Sequence, residues 1–314
     1  MVGIESADSP PRGPGHLLGG RPVGSIALGG AGMSLSAERD DCVSITAIRA
    51  AADGGIVLFD TARAYTTVDA EAHNEGLFAE ALGSREDVVI ATKGGHFRID
   101  KSTWGIDGSP EAIRADCERS LRRLRRERIE LYFLHHPDPT VPLAESVGEL
   151  NQLRSEGKVA HIGLSNVTIE QLESVQDVAT VAAVENRFPA TEAPKDGMAE
   201  HCASHGIVYL GYSPLSGVMA GLRAGRFPKL AEVAARLSVS PQRVTIAWLL
   251  ACRPDVLPIV GASRPESVAD SARAADLALT AQDLVRLSTE LLAATPRIRI
   301  ATEKADTARR METS

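Results

Sequence analysis

Short apolar runs alternate with longer segments of helical periodicity along most of the chain. The runs have the length of buried strands, and the segments between them repeat apolar side chains every three or four residues. The eight runs are residues 26–30, 56–61, 88–93, 129–135, 159–165, 181–186, 207–213 and 256–261. This alternation indicates parallel strands joined by right-handed helical crossovers. We therefore predict an α/β fold, a single (β/α)8 TIM barrel. An open doubly wound sheet is the alternative, although no G-x-G-x-x-G opens any of these helices.

The segments around the strands add detail to the predicted barrel. Two apolar stretches joined by Gly-Gly-Arg-Pro predict a β-hairpin before the first barrel strand. Ser36 is the predicted N-cap of the first helix. Predicted helices are Ala37–Asp53, Pro110–Leu124, Pro142–Ser155, Lys229–Leu237, Pro241–Cys252 and Thr280–Ala294. The long segment between the seventh and eighth strands thus carries extra helices, preceded by a glycine-rich loop, Ser216–Gly225, expected at the barrel mouth.

The two ends of the chain differ in composition from its centre. Residues 1–15 hold three prolines and three glycines without an apolar stretch, which indicates a flexible tail and no signal peptide. Residues 296–314 are polar and have no core face, so the predicted barrel domain is 16–295. No apolar run approaches the roughly 20 residues of a membrane-spanning helix. Four well-separated cysteines without a CxxC pair suit a reducing compartment, and we expect a soluble cytoplasmic protein.

The charge of the chain gives no reason to expect nucleic acid or a membrane as partner, because the net charge is -7 and the isoelectric point about 5.7. Six arginines fall between Arg119 and Arg128, but glutamates interleave with them, and Leu121 and Leu124 keep a buried stripe. This pattern is typical of a solvated helix face. The expected partner is a small molecule, and the sequence leaves the oligomeric state open.

Polar side chains stand where the predicted strands end. They are Asp60, Lys93, His135, Ser165, Asn166, Glu185, Asn186, Tyr212 and Ser213, with Tyr65 just beyond the second strand. In a barrel the carboxyl ends of all strands open on one mouth, so residues far apart in sequence converge there. Taken singly, each has a structural explanation, such as a turn former or a core histidine. Their coincidence at strand ends predicts an active site.

Four of these residues form a set suited to moving a proton. Tyrosine alone has a pKa near 10, too high for an efficient acid at neutral pH. We expect the Lys93 ammonium to lower the pKa of Tyr65, and Asp60 to keep Lys93 charged. A neutral His135 can donate a hydrogen bond to a carbonyl oxygen that gains negative charge. The set is suited to protonating an alkoxide as it forms.

Six motifs of the sequence resemble those of a known protein family. The motifs FDTARAY, ATKGG, LYFLHHPDP, IGLSN, GYSPL and VGASRPESVADS match, in order, those of the aldo-keto reductases. The resemblance runs from about Leu18 to Ala294. It implies a (β/α)8 barrel that moves a hydride between NADPH and a carbonyl group.

The resemblance also implies roles for individual residues. Asp60, Tyr65, Lys93 and His135 would be the catalytic tetrad, with Tyr65 as general acid. His135 is preferred to His136 because the family pattern is Leu-His-x-Pro.

By the same resemblance, NADPH or NADP+ would be held by residues from three of the motifs, IGLSN, GYSPL and VGASRPESVADS, and by Glu185 and Gly217 outside them. The implied cofactor-binding residues are Ser165, Asn166, Glu185, Tyr212, Ser213, Leu215, Gly217, Gly261, Ser263, Arg264, Ser267 and Ser271. Tyr212 would stack on the nicotinamide, and Ser263 with Arg264 would take the 2′-phosphate, which favours NADPH over NADH. The chain departs from the family at Glu185, where glutamine is usual, and at Ser271, where asparagine is expected. We expect neither departure to touch the tetrad.

The substrate is harder to predict. Candidate substrate-binding residues are His96, Phe97, Arg98, Trp104, His136 and Met219, and we predict no metal site. A polar loop with one tryptophan favours a hydroxylated or sugar-like ketone over a bulky steroid. Two alternative functions remain: a lyase with Lys93 as Schiff-base nucleophile, and a non-enzymatic subunit that senses NADPH.

Overall fold

The structure is a computed structural model that describes residues 15–36, 38–67, 72–100, 103–192, 197–261 and 263–294. The predicted tails, 1–15 and 296–314, lie outside these residues apart from Gly15.

Eight parallel strands close into a barrel, as the sequence predicts. The strands in the described residues are β1 (His16–Leu18), β2 (Arg21–Gly24), β3 (Ala27–Gly29), β4 (Leu58–Asp60), β5 (Val89–Gly94), β6 (His96–Arg98), β7 (Trp104–Ile106), β8 (Ile129–Leu134), β9 (Val159–Ser165), β10 (Val181–Arg187), β11 (Val208–Tyr212) and β12 (Val256–Gly261). Around the barrel the order is β3-β4-β5-β8-β9-β10-β11-β12, and β12 pairs with β3. The pairs β1-β2 and β6-β7 are antiparallel hairpins outside the barrel. Closure excludes the open doubly wound sheet.

Helices connect the strands around the outside. They are α1 (Ala31–Leu35), α2 (Asp41–Asp53), α3 (His73–Leu82), α4 (Pro110–Leu124), α5 (Leu143–Ser155), α6 (Ile169–Glu173), α7 (Met198–Ser204), α8 (Val218–Arg223), α9 (Pro228–Leu237), α10 (Pro241–Cys252), α11 (Pro265–Ala272) and α12 (Ala281–Leu291), with short 3-10 helices at Arg273–Asp276 and Leu292–Ala294. None of the helices in the described ranges is long and apolar enough to span a membrane.

The core has two layers because barrel strands are buried on both faces. Leu58 points to an inner cluster with Leu131 and Phe133, while Phe59 and Tyr132 belong to a cluster between strands and helices. This inward and outward alternation follows from the two-residue repeat of a strand. Burial of each large apolar side chain contributes about 1.5–3 kcal/mol to stability.

Helix bounds agree best where the sequence carries a cap. Both α4 and α10 match their predicted bounds: Ser109 and Ser240 accept hydrogen bonds from backbone N–H groups in the first turn, and a proline opens each helix. A serine cap and an early proline are strong start signals because they satisfy or remove otherwise unpaired N–H groups.

Two local predictions are wrong. The predicted first helix begins at Asp41, with Asp40 accepting from Val43 N at 3.0 Å, while Ser36 ends α1. Asp40, and not Ser36, is the N-cap because its carboxylate accepts the backbone hydrogen bond and its negative charge is stabilised by the positive end of the helix dipole. The predicted loop Ser216–Gly225 contains α8.

The β6-β7 hairpin was not predicted. It follows the third barrel strand, and its register pairs Phe97 with Gly105. A Cβ atom on Gly105 would lie 2.5 Å from the Phe97 ring, so a larger residue here would require the ring to move. The hairpin places His96 and Trp104 beside the barrel mouth.

Candidate active site

The strand ends converge on one cavity of about 480 Å³. It is lined by Gly29, Ala31, Gly32, Asp60, Tyr65, His135, His136, Ser165, Asn166, Glu185, Tyr212, Ser213, Pro214, Leu215, Ser216, Ile259 and Gly261. These residues come from the carboxyl ends of six barrel strands and from the loops that follow the strands. The convergence expected for a barrel is therefore present.

Lys93 lies beneath this cavity and is fully buried. Its ammonium hydrogen-bonds Asp60, donates to the carbonyl oxygen of Thr61 at 3.1 Å, and lies 3.3 Å from Glu185 Oε1. Burial lowers the pKa of Lys93, but the charges of Asp60 and Glu185 outweigh burial and leave it above its usual value. Lys93 is therefore a charged group at neutral pH.

Glu185 contradicts the expectation that it stays clear of the tetrad. It faces Lys93 together with Asp60, so two buried carboxyl groups share one ammonium. Burial raises the pKa of Asp60. Burial, with the nearby Asp60, raises the pKa of Glu185 to about 8. Asp60 has the closer contact with Lys93, so Glu185 is the carboxyl that keeps a proton at neutral pH.

Tyr65 follows β4 and lies against both Lys93 and His135. Lys93 Nζ is 5.2 Å from the centre of the Tyr65 ring, and the centres of the Tyr65 and His135 rings are 5.7 Å apart. Burial raises the pKa of Tyr65 more than Lys93 lowers it, and Asp60 and Glu185 add to the rise. The expected lowering of this pKa is therefore wrong, and Tyr65 is a protonated donor.

His135 is a neutral imidazole in this setting. Its exposed fraction is 7%, and burial together with the Lys93 charge places its pKa well below the usual value. Within the described ranges, its Nδ1 atom has no hydrogen-bond partner. A neutral ring next to Tyr65 can donate a hydrogen bond to a substrate oxygen, as expected from the sequence.

Three imidazoles gather at the mouth. The ring centre of His96 lies 4.7 Å from those of His135 and His136, and Trp104 stacks on His96 at 5.1 Å. Burial, and to a lesser degree His136, lowers the pKa of His96 to about 4. Burial also lowers the pKa of His136. His135 and His136 line the cavity, while His96 contacts both rings from outside the lining, so the rings at the mouth are uncharged hydrogen-bonding groups.

One nitrogen from each of these three histidines lies within 4.8 Å of the others. Nitrogens bound to one tetrahedral zinc ion lie about 3.3 Å apart, so the rings would have to converge to ligate a metal. The Lys93 charge, which lowers the pKa values of His135 and His136, also opposes a cation there. The arrangement suits a polar organic ligand better.

The other residues predicted at the substrate pocket have different positions. Phe97 packs against Gly105 and Arg63 and does not line the cavity. Arg98 donates to the carbonyl oxygen of Thr66 at 2.7 Å and so ties the hairpin to the loop that carries Tyr65. Met219 lies at a second cavity.

Asn166 organises the side of the mouth next to Glu185. Its backbone has a φ of +60°, and its Nδ2 atom donates to the carbonyl oxygen of His135 and to Ser165 Oγ, each at 3.0 Å. Tyr212 donates its hydroxyl to Asn166 Oδ1 at 2.8 Å. Four residues predicted to hold the nicotinamide (Ser165, Asn166, Glu185, Tyr212) thus lie together. The left-handed backbone of Asn166 is a strained conformation held by these contacts.

A second cavity of about 470 Å³ extends the site toward α11. It is lined by Leu215, Met219, Ser240, Gln242, Gly261, Ser263, Arg264, Glu266, Ser267, Asp270 and Ser271. Leu215 and Gly261 line both cavities, so the two form one elongated site. Arg264 is 69% exposed, and Ser271 is buried. Gly217, with φ of +79°, lies just before α8 and lines neither cavity.

The geometry agrees with comparisons to known proteins. The sequence model of the Aldo/keto reductase family matches residues 24–289. The chain belongs to this family. Its relatives include an uncharacterized oxidoreductase of Schizosaccharomyces pombe, 30% identical over 217 residues that cover 69% of this chain and 70% of that protein.

Two other proteins, both named as aldo-keto reductases, cover more of the chain. The probable aldo-keto reductase 1 of Glycine max is 31% identical over 290 residues, 83% of this chain and 82% of that protein. A crystal structure of an aldo-keto reductase from Klebsiella pneumoniae in complex with NADPH aligns with a TM-score of 0.73 and 27% identity, covering 87% of this chain and 93% of that one.

The sequence missed several residues that line the site of this aldo/keto reductase. Gly29, at the end of the first barrel strand, could have been found by the strand-end rule. Ser240 and Asp270 gave no such signal. Ser240 hydrogen-bonds Asp270, and Arg243 donates to Asp270 Oδ1 at 2.6 Å, which links α10 to α11 beside the second cavity. A contact between two helices such as α10 and α11 cannot be predicted from the pattern of residues within either helix.

Proposed function

We propose that the protein is an NADPH-dependent carbonyl reductase that reduces an aldehyde or ketone, with Tyr65 as general acid. The observation that carries the proposal is the grouping of Tyr65, His135 and Lys93 at one end of an elongated site whose other end holds Arg264. A proton donor and a neutral imidazole on one carbonyl oxygen are what reduction of a carbonyl requires.

The residues present fit a nicotinamide dinucleotide phosphate. Two joined cavities suit its two halves, and Glu185 Oε2 is buried without a hydrogen-bond partner in the described residues, as a group awaiting a polar ligand would be. Asn166, Ser165 and Glu185 would hold the carboxamide, and Tyr212 would stack on the nicotinamide. Ser263 and Arg264 would hold the 2′-phosphate, since a guanidinium forms strong paired hydrogen bonds to phosphate. When bound, NADPH supplies the hydride to the carbonyl carbon.

The protein's own residues handle the oxygen and the proton. His135 would donate a hydrogen bond to the carbonyl oxygen and so stabilise the negative charge that develops there. Tyr65 would then transfer its hydroxyl proton to that oxygen. Lys93, charged and held by Asp60, stabilises the resulting tyrosinate.

The mouth favours a hydroxylated or sugar-like carbonyl compound. His96, His135 and His136 present uncharged donors and acceptors, while Trp104 adds a flat apolar face that is 36% exposed. Such a mixture of ring faces and hydrogen-bonding groups suits small polyhydroxy molecules.

The charged state of Lys93 argues against a Schiff-base lyase, because a nucleophilic amine must be neutral. The intact proton-handling set argues against a purely NADPH-sensing subunit. Borohydride trapping of a carbonyl compound on Lys93 would support the lyase, and NADPH binding without turnover of any carbonyl would support the sensor.

A direct test is NADPH oxidation, followed by absorbance, with a panel of aldehydes, simple ketones and hydroxylated ketones. We expect turnover that is saturable in the carbonyl compound and highest with hydroxylated members. Absence of turnover across the panel, in both directions of the reaction, would refute the proposal.

A further inference from the structure

We propose that Glu185 is a positioning residue that holds a proton and returns it, through Lys93, to Tyr65 after Tyr65 has protonated the substrate. The inference rests on the proposed carbonyl reduction and deepens it. Residues already assigned to the reaction explain how Tyr65 gives up its proton, whereas Glu185 explains how the proton is replaced inside a buried site.

The contacts of the Lys93 ammonium connect Glu185 to Tyr65. Three oxygen acceptors surround the ammonium: the Asp60 carboxyl, the Thr61 carbonyl at 3.1 Å and Glu185 Oε1 at 3.3 Å. Asp60 and Thr61 accept two of the three N–H groups of the ammonium, so the third N–H is available to Glu185 or to the Tyr65 hydroxyl. The Tyr65 ring lies on the same ammonium, 5.2 Å from ring centre to Nζ, and a hydrogen bond to Lys93 lowers the pKa of Tyr65. Lys93 therefore contacts both Tyr65, the proposed proton donor, and Glu185.

The charges around Lys93 favour a proton on Glu185. Two ionised carboxyl groups beside one ammonium would leave a net negative charge in a buried site, which is unfavourable. Asp60 makes the closer contact with Lys93 and gains most from being ionised. Glu185 is 2% exposed, and its Oε2 atom is without a hydrogen-bond partner among the described residues. A hydrogen bond between the Glu185 and Asp60 carboxyl groups raises the pKa of Glu185 and lowers that of Asp60, so the retained proton lies on Glu185 in this hydrogen bond.

Asp60 and Lys93 have the largest electrostatic effects on Glu185 and belong to the site, as do Tyr65 and Tyr212, whose pKa values Glu185 raises. Asp60 comes from β4, Lys93 from β5, Tyr65 from the loop after β4 and Tyr212 from β11. Asp60 disfavours ionisation of Glu185, and Lys93 favours it, with burial as the largest effect. The pKa of about 8 that results allows Glu185 to release a proton near neutral pH and to regain it.

The proposed return of the proton is balanced. The O–H bond of Tyr65 breaks as its proton joins the substrate oxygen, which leaves tyrosinate beside the Lys93 ammonium. A proton of Lys93 moves to Tyr65, and the carboxyl proton of Glu185 moves to Lys93. Glu185 is left as carboxylate, and water entering the cavity that Glu185 lines supplies the replacement proton. Glutamine at this position could not release a proton.

The test compares Glu185→Gln, which keeps the shape of the side chain, with Glu192→Gln. Glu192 is on the surface, where it pairs with Arg187 at 2.8 Å, and it serves as the matched control. The measurements are kcat and KM against pH, the solvent isotope effect on kcat, and the Kd for NADPH. In the wild type and the control we expect kcat to fall above about pH 8, because Glu185 has then lost its proton.

For Glu185→Gln we expect kcat at neutral pH to fall about tenfold or more, with the decline near pH 8 absent and Kd for NADPH within about threefold. An unchanged kcat and pH profile in Glu185→Gln would overturn the proposal. So would a defect confined to the Kd for NADPH, because Glu185 would then be only a cofactor contact.

A second measurement needs no active variant. Infrared difference spectra of the wild type should contain a protonated-carboxyl band that disappears as pH rises through about 8, and Glu185→Gln should lack this band. A wild-type protein without such a band overturns the proposal even if the variant fails to fold. Failure of the reductase proposal itself would give a different result. The wild type would then fail to oxidise NADPH, whichever carbonyl compound is added.

Discussion

Glu185 Oε1 lies 3.3 Å from the Lys93 ammonium, although β10 and β5 are not neighbours in the barrel. Both side chains point from strand ends into the space that barrel closure encloses, and both are almost fully buried. The contact places a second carboxyl group on the ammonium that Asp60 already holds. Lys93, Asp60 and Glu185 therefore form one buried charged cluster beneath the cavity.

Replacement of Tyr65 by phenylalanine should remove the proposed proton donor. We expect kcat to fall by about 10²–10⁴-fold, the usual contribution of a general acid, while the Kd for NADPH changes little. Tyr132→Phe is the control, because Tyr132 is buried away from the cavity and donates only to the carbonyl oxygen of Ile113 at 3.4 Å. Comparable activity in Tyr65→Phe and the control would argue against Tyr65 as the acid.

Arg264→Ala should weaken NADPH binding selectively. A charge-assisted hydrogen bond contributes about 1.5–3 kcal/mol, so the Kd for NADPH should rise roughly 10–100-fold, whereas the Kd for NADH should stay nearly constant. Quenching of protein fluorescence by each nucleotide measures both constants. Arg273→Ala, at the other end of α11, should leave both unchanged. Equal weakening for the two nucleotides would contradict the phosphate contact.

Lys93→Met should destabilise the fold because it leaves Asp60 and Glu185 buried without a cation. Removing one partner of a buried charged pair costs about 3–5 kcal/mol in free energy of unfolding. The loss should shrink as pH falls, because burial raises the pKa of Asp60 and its protonation removes the buried negative charge, while Glu185 already holds a proton. Urea denaturation at about pH 5 and pH 8 measures the difference. A loss of stability that is the same at both pH values would show that packing, not charge, is responsible.

Glu185→Gln should become more stable than the wild type as pH rises. The folded-state pKa of Glu185, about 8, lies above its ordinary value of 4.5, so the folded protein keeps a proton that the unfolded chain releases. The wild type therefore loses stability between about pH 4.5 and 8, whereas the glutamine variant has no such loss at this position. The expected difference in free energy of unfolding at pH 8 is on the order of a few kcal/mol. Parallel stability curves for the two proteins would contradict the raised pKa.

His96→Ala should affect substrate affinity more than chemistry. The ring contacts His135, His136 and Trp104, so its removal leaves the mouth without one hydrogen-bonding group and without the partner on which Trp104 stacks. We expect KM for hydroxylated ketones to rise about tenfold, with kcat reduced much less, since one lost hydrogen bond is worth about 0.5–1.5 kcal/mol. A small aldehyde without hydroxyl groups is the control substrate. An equal rise in KM for both substrates would place His96 outside substrate recognition.

The sequence by itself determined the eight strands and the residues at their ends. A buried strand must be a short apolar run, and parallel connectivity directs every strand's carboxyl end to the same mouth, so Asp60, Lys93 and His135 were predictable as neighbours. The serine and proline signals before α4 and α10 are equally local, and their bounds were correct. The family motifs then assigned roles to these positions.

Only the tertiary structure decided how the site is balanced electrostatically. Closure of the barrel brings Glu185 onto Lys93, and complete burial reverses the expected direction of the Tyr65 pKa. The unpredicted β6-β7 hairpin places His96 and Trp104 beside the mouth of the barrel. The contact between α10 and α11 at Asp270 forms part of the wall of the second cavity. Distances between strands that do not pair, and the cost of burying charge, arise from packing of the whole chain, and a local pattern of residues contains neither.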